Sequence, residues 1–265
     1  MPVIAPYTRK TSASGYRTYE IDGVVMPSVT TVLSCIGKPF LVPWAAKMER
    51  ELVMESAANL YEETASTAKW SRATYLATLL SRMGKQKAFQ KEGDKAKEIG
   101  SQVHALIEWN LRKNLGETVG SAPSIPSQEG SWAMMVWEDF VKAHDLRPSS
   151  IEQTVWSTQH RYAGTMDWVA ELDGVQTVGD WKTGKAIYPE YLMQISAYMM
   201  ALVEMGHAKK GVQGCLVRFP KLTTDPAAEM RIVLWEEAEQ HFEVFLHVMQ
   251  LFHWVQAQES VRKKA

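Results

Sequence analysis

The sequence has few cysteines, no long apolar run and almost no net charge. Cys35 and Cys215 are too few for a disulfide framework, a four-cysteine zinc site or a four-cysteine iron–sulfur cluster. We interpret both as reduced, buried thiols of a cytoplasmic protein. No apolar run approaches the roughly 18 residues that a membrane-spanning helix needs. Because the net charge is only −1, any polyanion has to be bound by local clusters of cations.

What the chain does have is enough apolar sequence for a substantial core. Its 265 residues are 46% hydrophobic, which suits one large domain or a domain with a subdomain. Residues 1–27 are basic at the start, rich in Ser and Thr, and free of acids before Glu20. Transit peptides share that composition, so a mitochondrial matrix location is the alternative to the cytoplasm. The segment lacks an amphipathic helical pattern, and we predict an extended lead-in.

The first half of the chain after this lead-in is helical in pattern. Ser28 is predicted to cap a short helix, and helices are expected over 43–58, 95–113 and 129–145. Residues 28–97 form a helical region, and the last third of residues 60–97 is basic. Such a run is usually a solvated helix surface, but it is also typical of a lid or arch that touches a polyanion. The cations in question are Arg82, Lys85, Lys87, Lys91 and Lys95, with Trp70 as the candidate for base stacking.

The second half changes to strands. Strands are predicted at 151–158, 163–172, 175–182, 213–219 and 229–235, with helices over 189–205 and 236–258. This order predicts an α+β fold in which helices flank a central mixed β-sheet. Residues 98–265 then form the core, within one compact unit overall.

The dipeptide Asp173-Gly174 lies between two strand-like runs and predicts a two-residue hairpin turn. In the register that this turn imposes, Asp167 and Asp180 face each other on one side of the sheet. Their Cβ atoms are then expected to be about 4.5–5.5 Å apart.

Charges in a half-buried sheet need partners. Lys182 is predicted to share the side of Asp167 and Asp180, whereas Trp168 and Trp181 point the other way, into the core. Facing carboxylates repel each other and lose hydration, so a divalent cation together with Lys182 is expected to offset the penalty. The alternative is a purely structural one, in which an Asp–Lys ion pair forms and Asp167 is solvated at a strand end.

Further polar residues suit a metal-dependent phosphodiester site. His104 and Glu108 are one turn apart on a helix, where a histidine is either a ligand or a packing residue. Gln194 and Tyr198 are similarly spaced on the helix after the hairpin, and either touch a nucleic acid or form a buried hydrogen-bonded pair. Glu152 is predicted to open the first strand, where it either holds a second metal or its water, or is a surface residue.

These residues carry a resemblance. Asp167 followed by Asp180-x-Lys182 is similar to the catalytic signature of the PD-(D/E)XK nuclease superfamily. The segments IGSQVHALIE, AGTMD, DWKTGK and QISAY resemble, in that order, the helical histidine, GxxD, DxK and QxxxY motifs of its RecB-type exonuclease branch. PSVTTVL and VPWAAK resemble phage-type members. Because the chain lacks four cysteines, it resembles members without the iron–sulfur cluster.

The resemblance implies a restriction-endonuclease-like αβββαβ core with a helical N-terminal insertion. It implies Mg²⁺ or Mn²⁺ held by His104, Asp167 and Asp180, with the Trp181 backbone carbonyl nearby. Lys182 would orient the attacking water and stabilise the developing charge. The side chains expected to contact DNA are then Gln194, Tyr198, Lys185, Trp70, Arg82, Lys85, Lys87 and Lys91.

The sequence thus predicts a metal-dependent DNA exonuclease that hydrolyses phosphodiester bonds at single-stranded ends. The resemblance implies a role in recombination, repair or phage DNA processing in a bacterial or phage-infected cytoplasm. A non-catalytic DNA-binding or assembly protein on the same fold and a structure-specific endonuclease remain alternatives. Protein partners and cleavage polarity are not indicated.

Overall fold

The computed structural model describes residues 7–12, 15–64, 70–225 and 227–262. Their elements follow in chain order as β1 (Tyr7–Thr11), β2 (Arg17–Ile21), β3 (Val24–Pro27), α1 (Val29–Leu33), α2 (Leu41–Thr64), α3 (Arg72–Met83), α4 (Ala88–Asn114), α5 (Gln128–Ala143), β4 (Leu146–Ser157), β5 (Tyr162–Leu172), β6 (Val175–Lys182), α6 (Pro189–Glu204), β7 (Gln213–Arg218), β8 (Glu229–Val233) and α7 (Trp235–Arg262). Within this part of the chain, every helix is too short or too polar to span a bilayer.

The chain divides into two units. The core unit comprises Met1–Ile36 and Gly100–Ala265, and the helical unit comprises Gly37–Ile99. The sequence predicted one compact unit with its helical region at 28–97, so the observed division differs in number and boundary. Helix α1 belongs to the core unit, because its apolar side chains Val29 and Val32 are fully buried in the main core.

Within the described part of the lead-in, β1, β2 and β3 form an antiparallel sheet in that order, which the sequence analysis missed. Tyr19, Ile21 and Met26 of this sheet pack with Trp156 and Ala163 of the central sheet. Strands of four or five residues are marginal by themselves and need such a partner surface. The pattern of residues 7–27 is too short and too polar to show this, because the partner surface lies far away in the sequence.

The central sheet has five strands in the order β4-β5-β6-β7-β8. All neighbours are antiparallel except β6 and β7, which are parallel and connected through α6. The order α5-β4-β5-β6-α6-β7 is the αβββαβ arrangement that the family resemblance implies. The core unit therefore has a restriction-endonuclease-like α/β fold, with a mixed sheet flanked by helices.

The predicted hairpin register is confirmed. Leu172 pairs with Val175, and the ladder runs from there to Trp168 opposite Gly179. Beyond that pair β6 leaves β5 but stays paired with β7 as far as Lys182. The two strands thus separate at the next position along each, where Asp167 and Asp180 lie.

Aromatic packing supports the strands behind this point. The ring centroids of Trp168 and Trp181 are 4.9 Å apart, and Phe140 of α5 and Phe219 both contact Trp181. Both tryptophans are buried, as predicted. Gly179 lies directly beneath the Trp168 indole, since an added Cβ would lie 1.7 Å from its Cε2 atom.

Neither cysteine forms a disulfide. Cys215 is buried in β7, and burial raises the pKa of its thiol to about 12. Cys35 is only half-buried, whereas the sequence analysis expected both thiols to be buried. Its Sγ lies 3.8 Å from the backbone carbonyl of Val248.

Replacing Gly179 by Ala should destabilise the core unit by about 1–3 kcal/mol or more, because the new methyl group overlaps a rigid ring. Thermal or urea unfolding measures the effect. Gly120→Ala is the matched control, since an added Cβ there meets nothing within 4 Å. Equal stability of the two variants would contradict the packing described for Trp168.

Candidate active site

Two acidic side chains meet where β5 and β6 separate. Asp180 of β6 is 3% exposed, and the Asp167 side chain of β5 is 13% exposed. The backbone N–H of Trp181 donates to Oδ2 of Asp167 over 2.6 Å. This bond ties the two strands together just beyond their last ladder pair, and it fixes the Asp167 carboxylate beside the β6 backbone.

Lys182 and Gln194 hold the second carboxylate. Lys182 Nζ lies 2.5 Å from Oδ2 of Asp180 in an ion pair. Gln194 donates from Nε2 to Oδ1 of Asp180 over 3.0 Å, and its Oε1 accepts from Lys182 Nζ over 3.0 Å. The amide therefore bridges the two charged groups and fixes both.

Gln194 and Tyr198 form a buried pair rather than a nucleic-acid contact surface. Their exposed fractions are 7% and 2%, and Gln194 Nε2 donates to the Tyr198 hydroxyl over 3.1 Å. Of the two alternatives that the sequence left open, this is the buried hydrogen-bonded pair. The expectation that they contact DNA is not supported, because both side chains are turned into the protein.

His104 of α4 faces the first carboxylate. Its Nδ1 lies 3.5 Å from Oδ2 of Asp167. Burial lowers the pKa of the imidazole, but the neighbouring carboxylates of Asp167 and Asp180 outweigh burial and raise it. An added Cβ at Gly100 of the same helix would lie 2.9 Å from Oγ1 of Thr183, so α4 passes close to the end of β6.

The pKa values of the two carboxylates are shifted in opposite directions. Burial acts to raise the pKa of Asp167, but His104, Lys182 and the Trp181 N–H together lower it. Burial also raises the pKa of Asp180, and although Lys182 opposes this, the charge of Asp167 adds to it and the pKa stays raised. Asp167 is thus the more readily ionised member of the pair.

Glu152 lies in the middle of β4, which begins at Leu146, so the expectation that it opens the strand is wrong. Its φ of 51° is left-handed, and the β4–β5 ladder is interrupted at this residue, opposite Asp167. Burial first, then the charges of Asp167 and Glu108, raise its pKa to about 7. A third carboxyl group therefore adjoins the facing pair.

The donor set has the chemistry of a divalent-cation site but is not assembled around one point. One imidazole with two carboxylates suits Mn²⁺ or Mg²⁺. Within the described residues, however, no three His, Cys, Asp or Glu side chains are close enough together to hold an ion. Lys182 instead supplies positive charge beside Asp180, and the His104 imidazole lies beside Asp167. An ion bound by both acids must displace the Lys182 ammonium from Oδ2.

Two contributors to the site were missed by the sequence analysis. Tyr191 lies one turn before Gln194 on α6, and its ring centroid is 4.3 Å from Lys182 Nζ. The helical spacing of these two residues was the available signal. Gly164 was noted only within a motif; an added Cβ there would lie 2.4 Å from Cε1 of Tyr198, so this glycine lets Tyr198 approach the sheet.

The basic residues that were predicted to contact DNA are divided between the two units. Lys185 is exposed in the loop after β6, three positions beyond Lys182 in the core unit. The others, together with a half-buried Trp70, are in the helical unit: Arg82, Lys85, Lys87, Lys91 and Lys95. Both terminal nitrogens of Arg82 are already engaged by the carboxylate of Glu63, at 2.8 and 2.5 Å. That an arch of this unit binds DNA stays a prediction.

Comparison with known proteins gives weak similarities. The alkaline exonuclease LHK-Exo from Laribacter hongkongensis is 11% identical, with a TM-score of 0.31 over 58% of this chain and 82% of that one. LHK-Exo in complex with dAMP is also 11% identical, with a TM-score of 0.29 over 83% and 100%. The sequence matches no protein-family model and no curated protein. At these scores the similarities carry no argument about activity, which must rest on the site itself.

The His104–Asp167 contact predicts a pH-dependent stability in chelator. Folding raises the pKa of His104, so the protonated imidazole stabilises the folded state. This stabilisation is fully present below about pH 6.5, the ordinary pKa of an imidazole, and is lost as the pH rises through the raised pKa of the folded state. Melting temperatures of wild type and His104→Gln should therefore differ more at pH 6 than at pH 9. His253→Gln is the control, since His253 makes no ion pair among the described residues. If the melting temperatures of wild type and His104→Gln differed by the same amount at both pH values, the His104–Asp167 contact would be contradicted.

Proposed function

We propose that this chain hydrolyses phosphodiester bonds of DNA in a reaction that depends on a divalent metal ion, and that it acts as an exonuclease at single-stranded ends. The observation that supports this most is the convergence of Asp167, Asp180 and Lys182 at one point where two strands separate. Buried, facing carboxylates destabilise a fold unless a cation offsets them. A role in catalysis explains the presence of these carboxylates beside Lys182 better than a contribution to the stability of the fold does.

Each residue has a role that its contacts suggest. His104, Asp167 and Asp180 would hold Mg²⁺ or Mn²⁺, with the Trp181 carbonyl and Glu152 as further oxygen donors. When bound, such an ion polarises the scissile phosphate and lowers the pKa of its water. Lys182 is fixed by Gln194 and donates from Nζ, so it is suited to orient a water molecule and to stabilise negative charge that develops on the phosphate.

Gln194 and Tyr198 would maintain this arrangement. Gln194 bonds both Asp180 and Lys182, and Tyr198 bonds Gln194 in turn. Because the Gln194 amide bonds both groups, it would keep the Lys182 ammonium close to Asp180 when an ion displaces the ammonium from Oδ2, and such preorganised charge is what catalysis uses. We therefore assign Gln194 and Tyr198 to positioning.

The test is cleavage of end-labelled single-stranded DNA by the full chain with Mn²⁺ or Mg²⁺. Chelator and Asp180→Asn should each lower the rate by at least about 100-fold, because removing one preorganised charge from such a site has effects of that size. Asp139→Asn should cleave at the wild-type rate, since Asp139 is an exposed residue paired only with Lys142 among the described side chains. Full activity of Asp180→Asn would contradict the site assignment.

Substrate form separates the alternatives in the same assay. A single-strand exonuclease spares circular single-stranded DNA and degrades a blunt duplex more slowly than a linear single strand. Cleavage of the circle would indicate an endonuclease on the same fold. Tight DNA binding with no chelator-sensitive cleavage of any form would indicate the non-catalytic binding protein.

A further inference from the structure

Helix α7 has two different apolar faces. One face packs into the main core through Phe245, Met249 and Phe252. The other face, the α7 stripe, consists of four large apolar side chains that are 50% to 66% exposed: Val244, Leu251, Trp254 and Val261. Single exposed apolar residues are normal on a protein surface, whereas a continuous row of them is typical of an interaction site.

The α7 stripe has the spacing of a helix that packs against another helix. From Val244 to Val261, and with the exposed His247 and Gln258 included, its positions are alternately three and four residues apart. This alternation is the a/d pattern of a coiled-coil seam. At 1.5 Å per residue the stripe is about 26 Å long. A surface of this length and width fits the side of a second helix.

The order of the side chains makes the stripe complementary to itself. In a two-fold contact, a residue that faces another is faced by it in turn. One axis, perpendicular to α7 at the midpoint of the stripe, places Val244 opposite Val261 of a second copy. The same axis places Leu251 opposite Trp254, so the largest side chain of the stripe meets a smaller one. Two antiparallel copies of α7 therefore match along the whole stripe.

Charge favours this antiparallel arrangement over a parallel one. Glu243 and Arg262 lie at the two ends of the stripe, and the same axis brings each to the level of the other. A parallel pair would instead put Glu243 beside Glu243 and Arg262 beside Arg262, where like charges repel. Both side chains are exposed, and neither makes an ion pair among the described residues. The two polar positions of the seam, His247 and Gln258, also face each other in the antiparallel arrangement.

We propose that the α7 stripe is a homodimer interface, covered by the α7 stripe of a second copy of this chain in antiparallel orientation. The inference goes beyond the proposed function and does not depend on it. A lipid surface suits the stripe less well, because α7 carries five acidic side chains and one basic one. Helices that lie on membranes carry Lys and Arg on their polar face instead.

The size of the interface sets the expected affinity. One pair of helices buries less than the roughly 1,600 Å² of a standard protein–protein interface. Interfaces of the standard size already range from micromolar to picomolar affinity, so we expect a weak dimer with a dissociation constant of about 1–100 μM.

Sedimentation equilibrium of the full chain at rising concentration measures the association. Wild type should pass from monomer to dimer. Leu251→Asp should weaken dimerisation at least about 10-fold, because it removes apolar burial twice in each dimer. Leu222→Asp is the matched control and should dimerise like wild type, since Leu222 is a 62% exposed leucine outside the stripe. If Leu251→Asp melts early, Trp254→Gln serves in the same comparison.

Crosslinking tests the orientation. Val244→Cys and Val261→Cys, each combined with Cys35→Ser, are oxidised mildly, either alone or as a mixture. The mixture should form a disulfide-linked dimer, because the two cysteines face each other across the axis. Each variant alone should not, because identical positions of the two copies are then about 26 Å apart.

Three results would overturn the proposal. A wild type that stays monomeric at every concentration excludes the interface, and so does a dimer that Leu251→Asp and Trp254→Gln leave intact. Crosslinking of each cysteine variant with itself excludes the antiparallel arrangement. Binding of the monomeric chain to phospholipid vesicles, abolished by Leu251→Asp, would show that a lipid surface covers the stripe instead.

Discussion

The repulsion between two buried carboxylates is the constraint around which the core unit is arranged. Asp167 and Asp180 lie where β5 and β6 part, and each lies beside a different basic side chain, His104 and Lys182 respectively. Gln194 then fixes the second pair through two hydrogen bonds. Side chains from elements as distant in sequence as α4 and α6 thus meet at the same strand ends. Removing the Lys182 ammonium leaves the buried Asp180 carboxylate without its ion pair, which is strongly destabilising.

Packing behind the site makes this concentration of charge tolerable. Trp168 and Trp181 stack on the sheet, and Gly179 leaves space for the first of them. Gly164 similarly allows Tyr198 to approach closely enough to complete the Gln194 network. Gly179 thus makes room for an apolar indole, whereas Gly164 makes room for a tyrosine that belongs to the polar network. In both cases the backbone must come within contact distance of a ring.

Local signals predicted the centre of the site because they act over short distances. The Asp173-Gly174 turn fixes the register of its hairpin, and that register places Asp167 and Asp180 directly beyond the last ladder pair of the two strands. Signals that depend on distant partners failed. The strands of residues 7–27 are stabilised by Trp156 and Ala163. Gln194 is buried against the central sheet, and the sequence pattern of α6 does not show which residues of that sheet cover it. For the same reason the ion pair between Arg82 and Glu63, formed across two helices, was not anticipated.

The central claim is that Asp167 and Asp180 together bind a divalent cation in exchange for the Lys182 contact. Calorimetric titration of Mn²⁺ into the metal-free full chain tests it without any DNA. Wild type should bind Mn²⁺ saturably, and Asp180→Asn should bind it at least about 10-fold more weakly, because a charged ligand has become a neutral one. Asp139→Asn should match wild type. Equal Mn²⁺ affinity in wild type and Asp180→Asn would contradict the account.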